Sequence, residues 1–246
     1  MKQRQGCKIV YEIFRYSQKT NNMKILSVIA VSLLSSAVIA QGNSTSVKNV
    51  DVKSFSSIKA SGVFTLKLAQ GPEGVKMEGD QELISRIQVV NEGNTLVIKM
   101  DDKKEKINSK KGATVTVSFK DLSSAEFNMV GDVKSAGTLK FSNLVINNNM
   151  VGDFSLDLSA TSLVMKNKGV GEVELKGSAT KAEITNSGVG EVDADDFKVQ
   201  EMQVSNSGVG SVTVNVEKSI KVRNSGLGSV KNVGAAKMPS NRTVDI

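Results

Sequence analysis

Asn186-Ser187-Gly188-Val189-Gly190-Glu191-Val192 is one copy of a phrase that returns along the second half of the chain. The other copies centre on Met129-Val130-Gly131-Asp132-Val133, Met150-Val151-Gly152-Asp153-Phe154, Gly169-Val170-Gly171-Glu172-Val173, Gly208-Val209-Gly210-Ser211-Val212 and Gly226-Leu227-Gly228-Ser229-Val230. That makes six phrases, 18 to 21 residues apart. A fixed period flanked by strand-like runs marks a solenoid, in which each repeat is one coil stacked on its neighbour. An alternating strand leads into each phrase, as in Ala182-Glu183-Ile184-Thr185-Asn186, and another leaves it, as in Val212-Thr213-Val214. Alternation sends Ile184 and Val192 to one face and Glu183, Thr185 and Asp193 to the other. The expected fold is all-β: a β-helix (β-solenoid) of short, three-to-five-residue strands in coils of about 20 residues, preceded by an N-terminal β-rich block.

Two columns follow from that stacking. Gly131, Gly152, Gly171, Gly190, Gly210 and Gly228 end the tight part of each phrase, where corners demand the positive φ angles that glycine accepts. Asn148, Asn167, Asn186, Asn206 and Asn224 stand four residues earlier. Stacked amides can bond to one another and to turn backbone, so this column reads as a structural asparagine ladder. The small aliphatic interior suits a narrow coil, and the seven phenylalanines after residue 40 fall in strand patterns that read as core.

Residues 41–100 form the N-terminal β block. Ile58–Leu68 and Leu96–Met100 alternate, Gln70–Gly74 and Asn91–Asn94 are turn clusters, and Asp80–Ile87 reads as one short helical turn. Residues 101–112 are a mixed charge run, expected as a solvated loop. The coils occupy 113–246, with Asn232–Ile246 as a candidate end cap. Whether block and coils share one core is open at this level.

Residues 23–40 have the order of a secretory signal peptide: Lys24, an apolar run, then Val38 and Ala40 before a cleavage point. The apolar run, Ile25–Ala40, is 16 residues, short of the roughly 20 that span a bilayer, so no transmembrane anchor is expected after cleavage. Residues 1–22 read as a mis-called start or an extension. The chain has 32 basic and 25 acidic residues, but six bases and one acid precede residue 41. The remainder carries 26 against 24, which leaves no nucleic-acid footprint. It also lacks Cys, His, Trp and Tyr. Stability then rests on packing and hydrogen bonds rather than disulfides, and export implies a periplasmic, outer-membrane-associated or extracellular location.

The same absences exclude Ser-His-Asp and Cys-His catalysis and zinc sites built on those ligands. One column could carry chemistry. Asp132, Asp153, Glu172 and Glu191 follow the last glycine of their phrases, with Ser211 and Ser229 at the same place in the final two. In register, four carboxylates would line one edge, suited to calcium as the only cofactor in view. Asp193, Asp195 and Asp196 read as a polar loop, and Ser187, Ser207 and Ser225 as turn residues without a base.

The glycine phrases, together with Phe55–Gly71 (Phe-Ser-Ser-Ile-Lys-Ala-Ser-Gly-Val-Phe-Thr-Leu-Lys-Leu-Ala-Gln-Gly) and Leu96-Val-Ile-Lys, resemble the head GIN domain family. That family is described as "putative auto-transporter adhesins" of exported or envelope proteins in Bacteroidetes-type bacteria. The resemblance covers roughly Val50 to the end and implies a β-helix-like fold without known catalytic residues. Its usual phrase is Ser-Gly-Ser-Gly-Asp; here valine or leucine replaces the middle serine, and Met129 and Met150 replace the first glycine. The expected function is a non-catalytic, adhesin-like binding or structural module of the cell envelope, with an envelope protein or glycan as partner. Self-association through solenoid ends is a further expectation. The alternative is a carbohydrate-active β-helix enzyme, a lyase or hydrolase, using the acidic column.

Overall fold

Residues 45–101 and 112–239 are described by the computed structural model. The chain divides at Gly42–Asn43, and everything described belongs to the second unit. The expected leader and extension, residues 102–111 of the charge run and the end of the tail lie outside the described residues.

Period-two burial builds the N-terminal part. Strands β1 (Ser46–Val50), β2 (Ser57–Val63), β3 (Thr65–Gln70) and β4 (Gly74–Gly79) lead to a six-residue helix, α1 (Gln81–Arg86). This is the helical turn expected near Asp80. The Asp80 carboxylate accepts the Glu82 N–H at 2.9 Å and caps the first turn. Strands β5 (Ile87–Glu92) and β6 (Thr95–Met100) form an antiparallel hairpin, followed by β7 (Ala113–Phe119), β8 (Ser124–Val130) and β9 (Val133–Ser135).

Stack order differs from chain order. β2 lies between β6 and β8, and β3 between β7 and β9, all in parallel pairs. The first coil made, residues 57–70, is therefore second in the stack. β6 and β7 dock on one side of it, and the chain then crosses back to lay β8 and β9 on the other. Pairing thus carries the coils back to Ser57, ahead of the glycine phrases. The sequence hides this because Gly62-Val63-Phe64 is a degenerate phrase: Val63 pairs with Val130. β5 on β6, and β4 with β1 on β7, pair antiparallel and cover the outer edge of the first stacked coil. One core runs from Phe55 to Ala236, so block and coils are continuous.

The remaining coils are β10 (Leu139–Asn148), β11 (Phe154–Asn167), β12 (Val173–Asn186), β13 (Val192–Asn206), β14 (Val212–Asn224) and β15 (Val230–Asn232). β11 to β14 run 13 to 15 residues, longer than the three to five expected. The reason lies at the open bend. Around Thr161 the set of buried positions changes parity, from Leu158 to Leu163, while pairing with β12 resumes at Ser162. A strand can bend there without losing its ladder, whereas the glycine corner interrupts it. Coil length also varies, and register shifts after Glu174 and Ala194 absorb the difference. Downstream of each shift the asparagines realign.

All seven phenylalanines expected as core are buried, four of them completely. Phe119 stacks on Phe141 at 5.9 Å between ring centroids, and Phe127 tilts against Phe154 at 5.8 Å. At the far end Asn232 serves as a hub. Its Oδ1 accepts the Val216 N–H at 2.8 Å, and its amide donates to the Val216, Gly234 and Ala236 carbonyls. That folds the tail onto β14 through Ala236.

Candidate functional site: the glycine corner and its flanks

Each corner sets inward and outward residues in a strict order. Asparagine points in, the next residue points out, glycine or methionine lies in the wall, valine or leucine points out, and the last glycine turns the chain. The asparagines form the expected ladder. Asn148 Nδ2 donates to Asn167 Oδ1 at 2.9 Å, Asn167 to Asn186 at 2.8 Å, Asn186 to Asn206 at 2.9 Å and Asn206 to Asn224 at 3.0 Å. From Asn167 onward each Oδ1 also accepts the glycine N–H two residues on, as at Gly188. Buried amides are thereby satisfied along the interior. Asn148 begins the ladder opposite Phe127, and its Oδ1 has no partner.

The last glycines earn their place sterically. At Gly190, φ is +133°, and an added Cβ would collide with the Gly171 carbonyl of the preceding coil. Coils approach so closely here that no side chain fits.

Asp132, Asp153, Glu172 and Glu191 are brought together as a column: backbone bonds such as Phe154 N–H to the Glu172 carbonyl, 2.9 Å, stack each on the next. Two of them brace the corner. Asp132 Oδ1 accepts the Asp153 N–H and Asp153 Oδ1 accepts the Glu172 N–H, each at 3.2 Å. Lys134 bonds Asp132 at 3.1 Å. Ser211 and Ser229 continue the column with their hydroxyls 3.4 Å apart. Among the described residues, no group of three or more His, Cys, Asp or Glu side chains converges as a metal site would require. Asp193, Asp195 and Asp196 belong to β13, at its register shift, rather than to the polar loop expected. The neighbouring Asp193 charge pushes the Asp195 carboxyl up, with desolvation and Asp196 adding to it.

The Lys134 bond, then the Asp153 N–H, hold Asp132 below the usual carboxylate range. A depressed folded pKa adds stability that is present above the ordinary carboxylate pKa and lost as pH falls through the lowered one. Asp132→Asn keeps the Oδ1 acceptor and loses the charge. Acid-melting curves of this variant should flatten slightly below the usual carboxylate range. Its neutral-pH loss should stay under about 1 kcal/mol, because the pair is solvent-screened.

Two features escape the sequence reading. The first is a row of exposed apolar side chains at the corner: Val130, Val151, Val170, Val189, Val209 and Leu227, bridged in parallel from coil to coil. Val63 extends it by one rung. The valines are 46–58% exposed and Leu227 74%. Their repetition and outward parity were legible, but their merger into one continuous exposed row depends on the stacking of the corners. The second is a groove of about 300 Å³ across β11 to β14, floored by Leu163, Ala182 and Met202. Lys181, Glu183, Glu201, Gln203 and Lys221 line its rim, with Lys181 and Glu201 3.5 Å apart. None of the acidic column borders it.

A family model described as "Putative auto-transporter adhesin, head GIN domain" matches residues 54–236. The chain belongs to the head GIN domain family. Among solved structures, this head GIN domain chain is similar to a "putative adhesin" from Bacteroides fragilis. Identity is 26%, 78% of this chain and 98% of that one are covered, and the TM-score is 0.71. A "putative lipid binding protein" from Parabacteroides distasonis shares the fold at 18% identity, with coverage of 80% and 96% and a TM-score of 0.54. A "putative adhesin" from the same species stands at 17% identity, 78% and 98% coverage, and 0.50. Comparison with curated proteins finds no match. Among the described residues of the head GIN domain chain, no helix is long and apolar enough to cross a membrane.

Proposed function

We propose that the chain is an exported, non-catalytic, adhesin-like binding module of the cell envelope, and that the groove across β11 to β14 takes an envelope glycan or a polar protein segment. The observation that carries this reading is the groove itself. Four stacked coils present a concave strip whose floor is apolar and whose rim mixes both charges with an amide. Regular solenoid sides are extended binding surfaces. With no Trp or Tyr after residue 40, recognition runs through polar contacts over that floor. The best carboxylate candidates support the same reading, since Asp132 and Asp153 are spent on backbone N–H groups of the next coil.

A glycan array and an envelope-protein overlay with the purified chain test it. Binding should fall on Gln203→Ala and Lys221→Ala, and the bound glycan should be recovered intact. Turnover of an envelope glycan that vanishes on Asp153→Asn or Glu172→Gln would overturn the non-catalytic reading.

A further inference from the structure

We propose that two copies of the chain associate in parallel about a two-fold axis, the apolar ridge of one packed along the same ridge of the other. Scattered surface valines are ordinary, but a straight row of seven apolar side chains is not. At roughly 75 Å² for each half-exposed valine, the row presents on the order of 500 Å² of apolar surface, near the upper limit for patches on monomers.

The spacing selects a second copy as the occupant. The row rises one strand spacing per rung, about 4.8 Å. An identical row seated at one rung is seated at all of them, whereas a surface of another period touches only a few. Charge then selects the orientation. Glu172 and Glu191 are exposed on one flank, and Lys166, Lys168 and Arg223 on the other. An axis along the ridge sets each acidic flank against the basic flank of the other copy, so Lys168 faces Glu172 of the partner subunit across the same corner. An antiparallel dimer would oppose acidic flank to acidic flank, which is unfavourable. An anionic membrane would meet those carboxylates as well, which counts against a lipid surface. A standard interface hides about 800 Å² per partner; the ridge supplies its apolar centre and the flanks its polar rim.

Sedimentation equilibrium over a wide dilution series tests this independently of any envelope ligand. The wild-type mass should rise to twice that of the monomer. Val170→Ser combined with Val189→Ser should weaken association about ten-fold or more, with an unchanged circular dichroism spectrum and melting temperature. Lys168→Glu should weaken it several-fold, and adding Glu172→Lys in the same chain should restore it. That swap restores only the parallel arrangement, and it remains informative if the serine variant folds poorly. A monomer at every concentration would overturn the proposal, as would a dimer indifferent to both sets. Growth beyond two copies would point instead to strand pairing at the solenoid ends. Ridge-dependent binding of the monomer to phosphatidylglycerol vesicles would assign the ridge to lipid.

Discussion

Gly190→Ala should be among the most damaging single changes available, costing about 3 kcal/mol or more, although it adds one methyl group. Two penalties coincide. The backbone sits at φ +133°, where L side chains are strained, and the new Cβ would run into the Gly171 carbonyl. Relief requires the coils to separate, which stretches the Gly171 N–H bond to the Val189 carbonyl, 3.0 Å, and the Gly190 N–H bond to the Val209 carbonyl, 2.9 Å. Two controls divide the effect. Gly93 has φ +59° with open space around it, so Gly93→Ala should lose only about 1 kcal/mol, from strain alone. Gly71 has open space and no positive φ, and Gly71→Ala should be neutral or slightly stabilising through the unfolded chain. For a chain of this size the Gly190 variant should melt roughly 6–12 °C lower. Equal losses at all three sites would refute the close-approach account.

Asn186→Leu should rank with it, at about 3–5 kcal/mol, because it strands several partners at once. Asn186 is fully buried; it accepts from Asn167 and from the Gly188 N–H, and donates to Asn206. Leucine fills similar space but leaves the buried Asn167 amide N–H and the Gly188 backbone N–H without partners, and Asn206 Oδ1 with the Gly208 N–H alone. Asn224 ends the ladder in an exposed position and donates to the Gly228 carbonyl. Water can replace its bonds, so Asn224→Leu should lose about 1 kcal/mol or less. Asn186→Asp sharpens the test. A carboxylate would face the Asn206 oxygen, so this variant should be less stable at neutral pH than in mild acid, where the proton restores a donor. Denaturant melts of the three variants check the ranking, and similar losses for Asn186→Leu and Asn224→Leu would mean that the ladder does not hold the corner.

The architecture and the inner columns were legible along the chain because both are periodic. A solenoid writes its period into the sequence, and glycine and asparagine recur where the corner admits nothing else. Three features were not legible, each for its own reason. The coil of residues 57–70 carries Phe64 where later coils carry glycine, so the glycine phrase that marks a coil is missing, and only its pairing with β6 and β8 places it inside the stack. The carboxylates read as a ligand column, yet Asp132 and Asp153 serve the backbone of the next coil. That use depends on how closely two coils approach, which spacing along a chain does not specify.

The apolar ridge marks the boundary most clearly. Local preference dictates where the chain turns, because positive φ and buried amides are demands of single residues and their repeat. That Val170 and Val189 stand on one another in a single row is set by neighbours nearly 20 residues away. By strand alternation alone each valine takes the outward parity of residues such as Glu183 and Thr185, and singly it is an ordinary exposed apolar residue. Stacked coils crowd the glycine side against backbone and leave the valine side to solvent. A surface made of every coil at once comes into being only when the coils are assembled.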